Sequence, residues 1–479
     1  MAPATRLDCH LALAMALLAL VVYSANLRGI AAGDTFAARF LPLALLHDGT
    51  LYLDPVAEAT RMGYARSYWI VPARGGRHLA SLYPVVTPLV ATPFYLPAAI
   101  YLDRHGWGDV AGVRAAAELT EKVAASVITA ACAGLMLWLL RRRLARPGAL
   151  LLTVAFAFGT ETWVISSQAL WQHGVAELLV VIVLLALTAP AAAAPEVAVA
   201  ATAVPAVSAA AMAPVAAAGT GLPSRRSLAV AGLAAGLLVA NRPFDAVLAA
   251  AFALAVAFLA WSSPAPRRRQ AWWFFAAAAA PLLLVAAYDL VVFGNLAGGY
   301  ENLALSAGRE LLGQPVVTGL AGELLSPGKG LLVYSPFLVV LACGGRRIVR
   351  GPERAVAVAG LLAVAAQLLL YAKTDFRAGR CYGPRFLTDL LPLLVWLSAP
   401  AVAALRRRGL AAFAAAAAFA IGVQAVGAFY YPSADSDSWM DVWRLRDAPY
   451  LTELAAGRAR PLFLDRLRGR DGSGAAGGR

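Results

Sequence analysis

Apolar stretches of about 17–25 residues, the length at which a helix crosses a bilayer, recur along this chain and are separated by short arginine clusters. In hydrocarbon every backbone amide must find its partner within the chain, so stretches of this kind fold as helices. Hydrophobic residues make up 61% of the 479 positions and charged residues only 14%, and the mean hydropathy is +0.68. A soluble domain of that composition would have too little polar surface to cover its core. The fold class expected is therefore an all-α polytopic membrane protein.

The arginines set the expected orientation. Arg141-Arg142-Arg143 with Arg146, Arg267-Arg268-Arg269, Arg346-Arg347 and Arg406-Arg407-Arg408 flank apolar runs, and short cytoplasmic loops collect such charges. Placing all four clusters inside predicts about 11 transmembrane helices, within a range of 10–13. Residues 1–26 form the first helix, retained because no small-residue cleavage site follows its apolar run. Residues 27–117 form a long extracytoplasmic loop with interfacial or re-entrant helices. Pro84, Pro88, Pro93 and Pro97 within that loop are spaced to interrupt helical hydrogen bonding. Residues 118–187 hold helices 2–4, and 188–227 an Ala/Pro-rich flexible cytoplasmic loop. Residues 228–429 hold helices 5–11, with a turn expected at Asn241-Arg242-Pro243, and 430–479 are a polar extracytoplasmic tail with a disordered end.

The net charge of +14 follows from these orienting clusters. No basic stripe is interleaved with aromatic residues, so nucleic acid is not an expected partner. Cys9, Cys132, Cys343 and Cys381 are isolated, and the five histidines show no metal-ligand spacing. Neither a disulfide framework nor a metal site is expected.

This orientation gathers the polar residues on the outer face. A charged group beside an apolar span is costly and usually functional, which singles out Asp34, Arg242 and Arg385. Together they suit transfer from a lipid-linked phosphate: guanidinium groups to hold the phosphate and a carboxylate to take a proton from an acceptor hydroxyl. Arg380 and Arg385 are suited to the phosphate and Asp34 to the proton. His78, Tyr83, Gln172, His173, Tyr300 and Tyr382 are candidate substrate-binding residues on the same face. Guanidinium groups alone can neutralise a monophosphate leaving group, so no metal cofactor is expected.

The sequence resembles bacterial members of the GT-C superfamily of polytopic glycosyltransferases, the group containing protein O-mannosyltransferases and lipid A aminoarabinose transferase. The residues that carry the resemblance are Asp34 after the first span, His47-Asp48-Gly49-Thr50-Leu51-Tyr52, Tyr83-Pro84-Val85-Val86-Thr87-Pro88-Leu89, Asn241-Arg242-Pro243, Phe293-Gly294-Asn295 with Gly299-Tyr300, and Tyr382-Gly383-Pro384-Arg385-Phe386-Leu387. The resemblance implies an inverting, metal-independent transferase in the bacterial plasma membrane, with its N-terminus cytoplasmic and its site extracytoplasmic. It implies a polyprenyl-phosphate-linked sugar as donor and a cell-envelope glycan, lipid or protein as acceptor. Asp34 would be the base, with Arg385 and Arg242 near the donor phosphate. Three positions depart from the family pattern: Thr35 replaces a frequent second acid, no lysine precedes the proline-rich segment, and Trp171-Gln172-His173 stands where many relatives carry Asp. A lipid or polysaccharide transporter or flippase is the main alternative, and a non-catalytic subunit of an envelope-synthesis complex is a third. Polar residues collected at one face and no inverted repeat argue against a transporter.

Overall fold

The computed structural model describes residues 6–56, 69–188, 221–301, 312–377, 381–431 and 441–456. Most of residues 188–227 and the end of the tail, for which a flexible loop and a disordered terminus were expected, lie outside this set, as does Arg380. The described chain is helical apart from one antiparallel ribbon, β1 (Ile70–Pro72) paired with β2 (Leu79–Ser81). Seven of its helical segments are long and apolar enough to cross a membrane, and the expected number of about 11 spans is not confirmed.

Helix α1 (Arg6–Ser24) packs along the 32-residue α4 (Val110–Arg141), the central helix of the bundle. Between them in sequence come α2 (Gly33–Asp48) and α3 (Val86–His105), which pack on each other. The proline spacing in α3 does not interrupt it. The helix runs through Pro93 and Pro97, which are four residues apart and therefore on one face, while α2 and α4 support it. Next come α5 (Arg146–Phe158), a π-helical turn at Thr162–Ser166, and α6 (Gln172–Leu187).

Helix α7 (Arg225–Asn241) ends at the expected triplet, and a 3-10 turn at Pro243–Asp245 leads into α8 (Ala246–Trp261). The two arms then diverge, α7 packing on α9 (Trp272–Val292) and α8 on a later helix, α11 (Arg354–Ala372). Gly232 and Gly236 let α7 touch α9 backbone to backbone. A Cβ there would stand 2.0 Å from the Phe274 carbonyl oxygen and 2.3 Å from that of Ala278, the small-xxx-small contact that suits helix pairs in lipid.

Helix α10 (Val316–Leu325) precedes α11. The apolar segment from Leu331 is not one continuous α-helix: it forms a short helix at Leu331–Tyr334 and a 3-10 segment at Pro336–Gly344. Pro336 supplies no amide donor at this junction, and the Ser335 hydroxyl donates to the Gly159 carbonyl at 2.7 Å. A further 3-10 turn, Arg385–Leu390, opens α12 (Leu391–Val402), and α13 (Arg407–Tyr430) and the short α14 (Pro449–Ala456) complete the described chain.

The two ends of the bundle differ sharply. At one end Asp8 pairs with Arg141 at 2.8 Å and Arg146 at 3.1 Å, and Arg143 donates to Glu353 at 2.7 Å while covering the Trp396 ring at 3.6 Å. The other end, where α1, α7 and α11 finish and α6 and α12 begin, carries Asp34, Asp389, Tyr83, Tyr300, Arg242 and Arg385.

Candidate active site

Asp34 sits in the first turn of α2, where the unpaired amides of a helix start favour an anion. Its neighbour Gly33 lies against the Trp69 indole, where a Cβ would fall 1.8 Å from the ring, so the ribbon residue closes tightly over the start of the helix. One Asp34 oxygen takes an ion pair from the Arg385 guanidinium, and the other accepts from the Tyr83 hydroxyl at 2.8 Å. Burial pushes this carboxyl up, but the Arg385 cation and then the Tyr83 and Arg385 hydrogen bonds outweigh it and hold Asp34 below the usual aspartate value.

Arg385 opens the 3-10 turn that precedes α12 and is buried. Its guanidinium lies 4.9 Å from the centre of the Trp171 ring and 5.2 Å from that of Phe386, a cation–π setting for a cation with little water around it. The Trp171 indole is itself fixed by donating to the Ile30 carbonyl at 3.1 Å. The Nε of Arg385 is buried without a hydrogen-bond partner among the described residues.

A second cluster adjoins the first. Arg242, at the end of α7, forms an ion pair with Asp389, one helical turn beyond Arg385, and its guanidinium faces the Tyr371 ring at 5.7 Å. His173 Nδ1 lies 2.8 Å from Asp389 Oδ1 and 2.7 Å from Arg242 Nη1. One ring nitrogen cannot donate to the carboxylate and accept from the guanidinium at once, so the tautomer selects between the two. Asp245, fully buried, lies within electrostatic range of Arg242 and Asp389.

The clusters are tied together by neutral groups. Tyr83 meets Tyr300 edge to face at 5.8 Å, and the Tyr300 hydroxyl lies 3.4 Å from Gln172 Oε1. Burial keeps that hydroxyl protonated, well above the usual tyrosine range. Gln172 Nε2 donates to the Asn241 carbonyl at 2.9 Å, Asn241 Nδ2 returns a bond to the Gln172 carbonyl at 2.9 Å, and Thr87 donates to Asn241 Oδ1 at 2.6 Å. Segments 83–87, 172–173, 241–245, 300 and 385–389 thus converge on one region.

Seven of the residues singled out from the sequence meet here: Asp34, Tyr83, Gln172, His173, Arg242, Tyr300 and Arg385. Two others do not. His78 sits on the ribbon, bonded to Asp54 at 2.8 Å and stacked on Tyr52 at 4.4 Å. The Tyr382 hydroxyl donates to the Val423 carbonyl at 2.6 Å within a buried aromatic cluster. Asp389 and Trp171 hold the two arginines and were not among the sequence candidates. Neither was Lys122, which is buried beneath the site with its ammonium donating to the Tyr23 carbonyl at 2.7 Å and to Gln168 Oε1 at 2.6 Å. Gln168 also accepts from Asn26 at 2.6 Å, so this knot anchors the chain between α1 and Asp34. Among the described residues no group of three or more His, Cys, Asp and Glu side chains is placed to hold a metal ion.

The class defined by these features is a polytopic helical membrane protein with a carboxylate–guanidinium site at one end of its bundle. No protein-family model matches the chain, and no curated protein matches it in sequence. Among solved structures the chain is similar to ArnT from Cupriavidus metallidurans, solved with undecaprenyl phosphate, at 14% identity over 89% of this chain and 66% of that one, with a TM-score of 0.49. It is also similar to the archaeal oligosaccharyltransferase AglB from Archaeoglobus fulgidus, solved with an inhibitory peptide and a dolichol-phosphate. That match has 11% identity over 91% of this chain and 57% of that one, with a TM-score of 0.44. The chain spans less than two thirds of the length of either structure.

Proposed function

We propose that this chain is an inverting glycosyltransferase that moves a sugar from a polyprenyl-phosphate donor to a hydroxyl of an extracytoplasmic acceptor: an envelope glycan, a lipid or a protein. The observation that carries the reading is the placement of Asp34 against Arg385 and Tyr83, beside the Arg242–Asp389–His173 cluster, at the bundle end remote from the arginine-rich loops. Asp34 takes the acceptor proton as the acceptor oxygen attacks the anomeric carbon. The bond from that carbon to the phosphate oxygen breaks, and the lipid phosphate leaves with its electron pair, its charge met by Arg385 and Arg242. Attack opposite the leaving group inverts the anomeric centre. With the arginine-rich end cytoplasmic, as short basic loops favour, the site faces outward across a bacterial plasma membrane.

Asp34→Asn tests the reading. Transfer from a synthetic polyprenyl-phosphate sugar is expected to fall by about 10²–10⁴-fold, with the variant still folded. Wild-type rates in that variant would remove Asp34 from the mechanism. Passage of labelled lipid across vesicle membranes with no acceptor present would favour a flippase instead.

A further inference from the structure

Arg385 borders a second environment. A narrow cavity is lined by Glu323, Lys329, Phe376, Cys381 and the turn that carries Arg385 and Phe386. Glu323 reaches it from α10, which approaches closely enough that a Cβ on Gly319 would stand 2.0 Å from the Ala372 carbonyl oxygen. Lys329 is fixed at the rim, donating to the Cys381 carbonyl at 2.6 Å.

Glu323 is 3% exposed, and both of its carboxyl oxygens are buried with no hydrogen-bond partner among the described residues. A buried carboxyl with neither oxygen engaged is costly and points to a partner that occupies the site in use. Burial also pushes its pKa up to about 8, so near neutrality the group both donates and accepts, as a sugar hydroxyl requires.

We propose that Glu323 is a sugar-recognition residue, binding a hydroxyl of the donor's sugar within a carbohydrate subsite that shares Arg385 with the phosphate site. The proposal rests on the glycosyl-transfer reading above. A prenyl tail would leave Glu323 unpaired, and a phosphate would be held by the guanidinium rather than by a carboxyl. A pyranose or furanose ring presents hydroxyls to Glu323 and C–H faces to Phe376 and Phe386, which line the same cavity.

The test compares binding of undecaprenyl phosphate with binding of a panel of undecaprenyl-phosphate hexoses and pentoses, in the wild type and in Glu323→Gln, Glu323→Leu and Arg385→Gln. For the sugar that binds best, Glu323→Leu is expected to weaken binding by about tenfold, as loss of one good hydrogen bond does, and Glu323→Gln by less. Affinity for the sugar-free lipid is expected to stay within about twofold. Equal losses for both ligands, no loss for either, or a wild type that binds no panel member more tightly than the bare lipid each overturn the proposal. The Glu323→Gln variant is close in shape to the wild type and guards against a folding defect. Arg385→Gln separates the two readings: it weakens every ligand if the phosphate reading holds, and unchanged affinity for all of them overturns that reading, whatever Glu323 does.

Discussion

At the scale of single residues, the protonation of Asp34 is the property on which the proposed reaction most directly depends. Burial raises its pKa, and Arg385 and Tyr83 reverse the effect. A carboxyl with a lowered folded-state pKa contributes stability that is present above its unfolded value and is lost as pH falls through the folded one. On the proposed reaction Asp34 is the base and stays ionised over the same range, so the acid limb of kcat/KM is expected below the ordinary aspartate range. Tyr83→Phe removes one of the bonds that lowers this pKa. The acid limb in a pH profile of that variant is expected to move to higher pH with little change near neutrality, and an unmoved limb would detach Tyr83 from the base. Asp34, Arg242 and Arg385 were legible in the sequence because a charge at the edge of an apolar run stands out. Asp389 was not, since its importance lies in an ion pair with Arg242, 147 positions away, that no local pattern encodes. Glu323 was hidden for the related reason that its exposure depends on how α10 packs. His78 and Tyr382 read as site residues by their place in polar segments, but a ribbon turn and an aromatic core take up their polar atoms.

Among the elements, the joint at Asn241-Arg242-Pro243 contributes most to the site. The proline ends α7, and the asparagine two residues before it is locked to Thr87 and Gln172 from two other segments. Asn241→Ala leaves the Thr87 hydroxyl and the Gln172 carbonyl buried without these partners, an expected cost of about 1–3 kcal/mol. Thermal unfolding in detergent measures it. Adding Thr87→Val, which removes the orphaned hydroxyl, is expected to cost less than the sum of the two single changes. The existence of this joint was readable from the triplet, because proline and a polar pair inside a long apolar run argue for a turn. The 3-10 character of 336–344 was not readable, because hydropathy registers length and polarity but not which backbone bonds close. The proline-bearing α3 shows the converse: breakers counted singly overstate disruption when neighbouring helices hold the segment in place.

Across the whole molecule, the arginine-rich end and the site end stand at opposite poles. The assignment of outside to the site end is open to direct measurement. A reporter inserted after Gly106 is expected to read extracytoplasmic, and a cytoplasmic signal would make α3 a true span and reverse the orientation of the helices that follow. The division into poles was legible from arginine spacing alone, whereas the convergence of five separated segments on Asp34 required the packed chain. The resting site also carries its charges in pairs, Asp34 with Arg385 and Asp389 with Arg242. On the proposed reaction, loading the donor is therefore an ion exchange: an incoming phosphate displaces the carboxylate from Arg385, and the base is set free by the arrival of the molecule it serves. Water that enters before the donor meets a base still engaged.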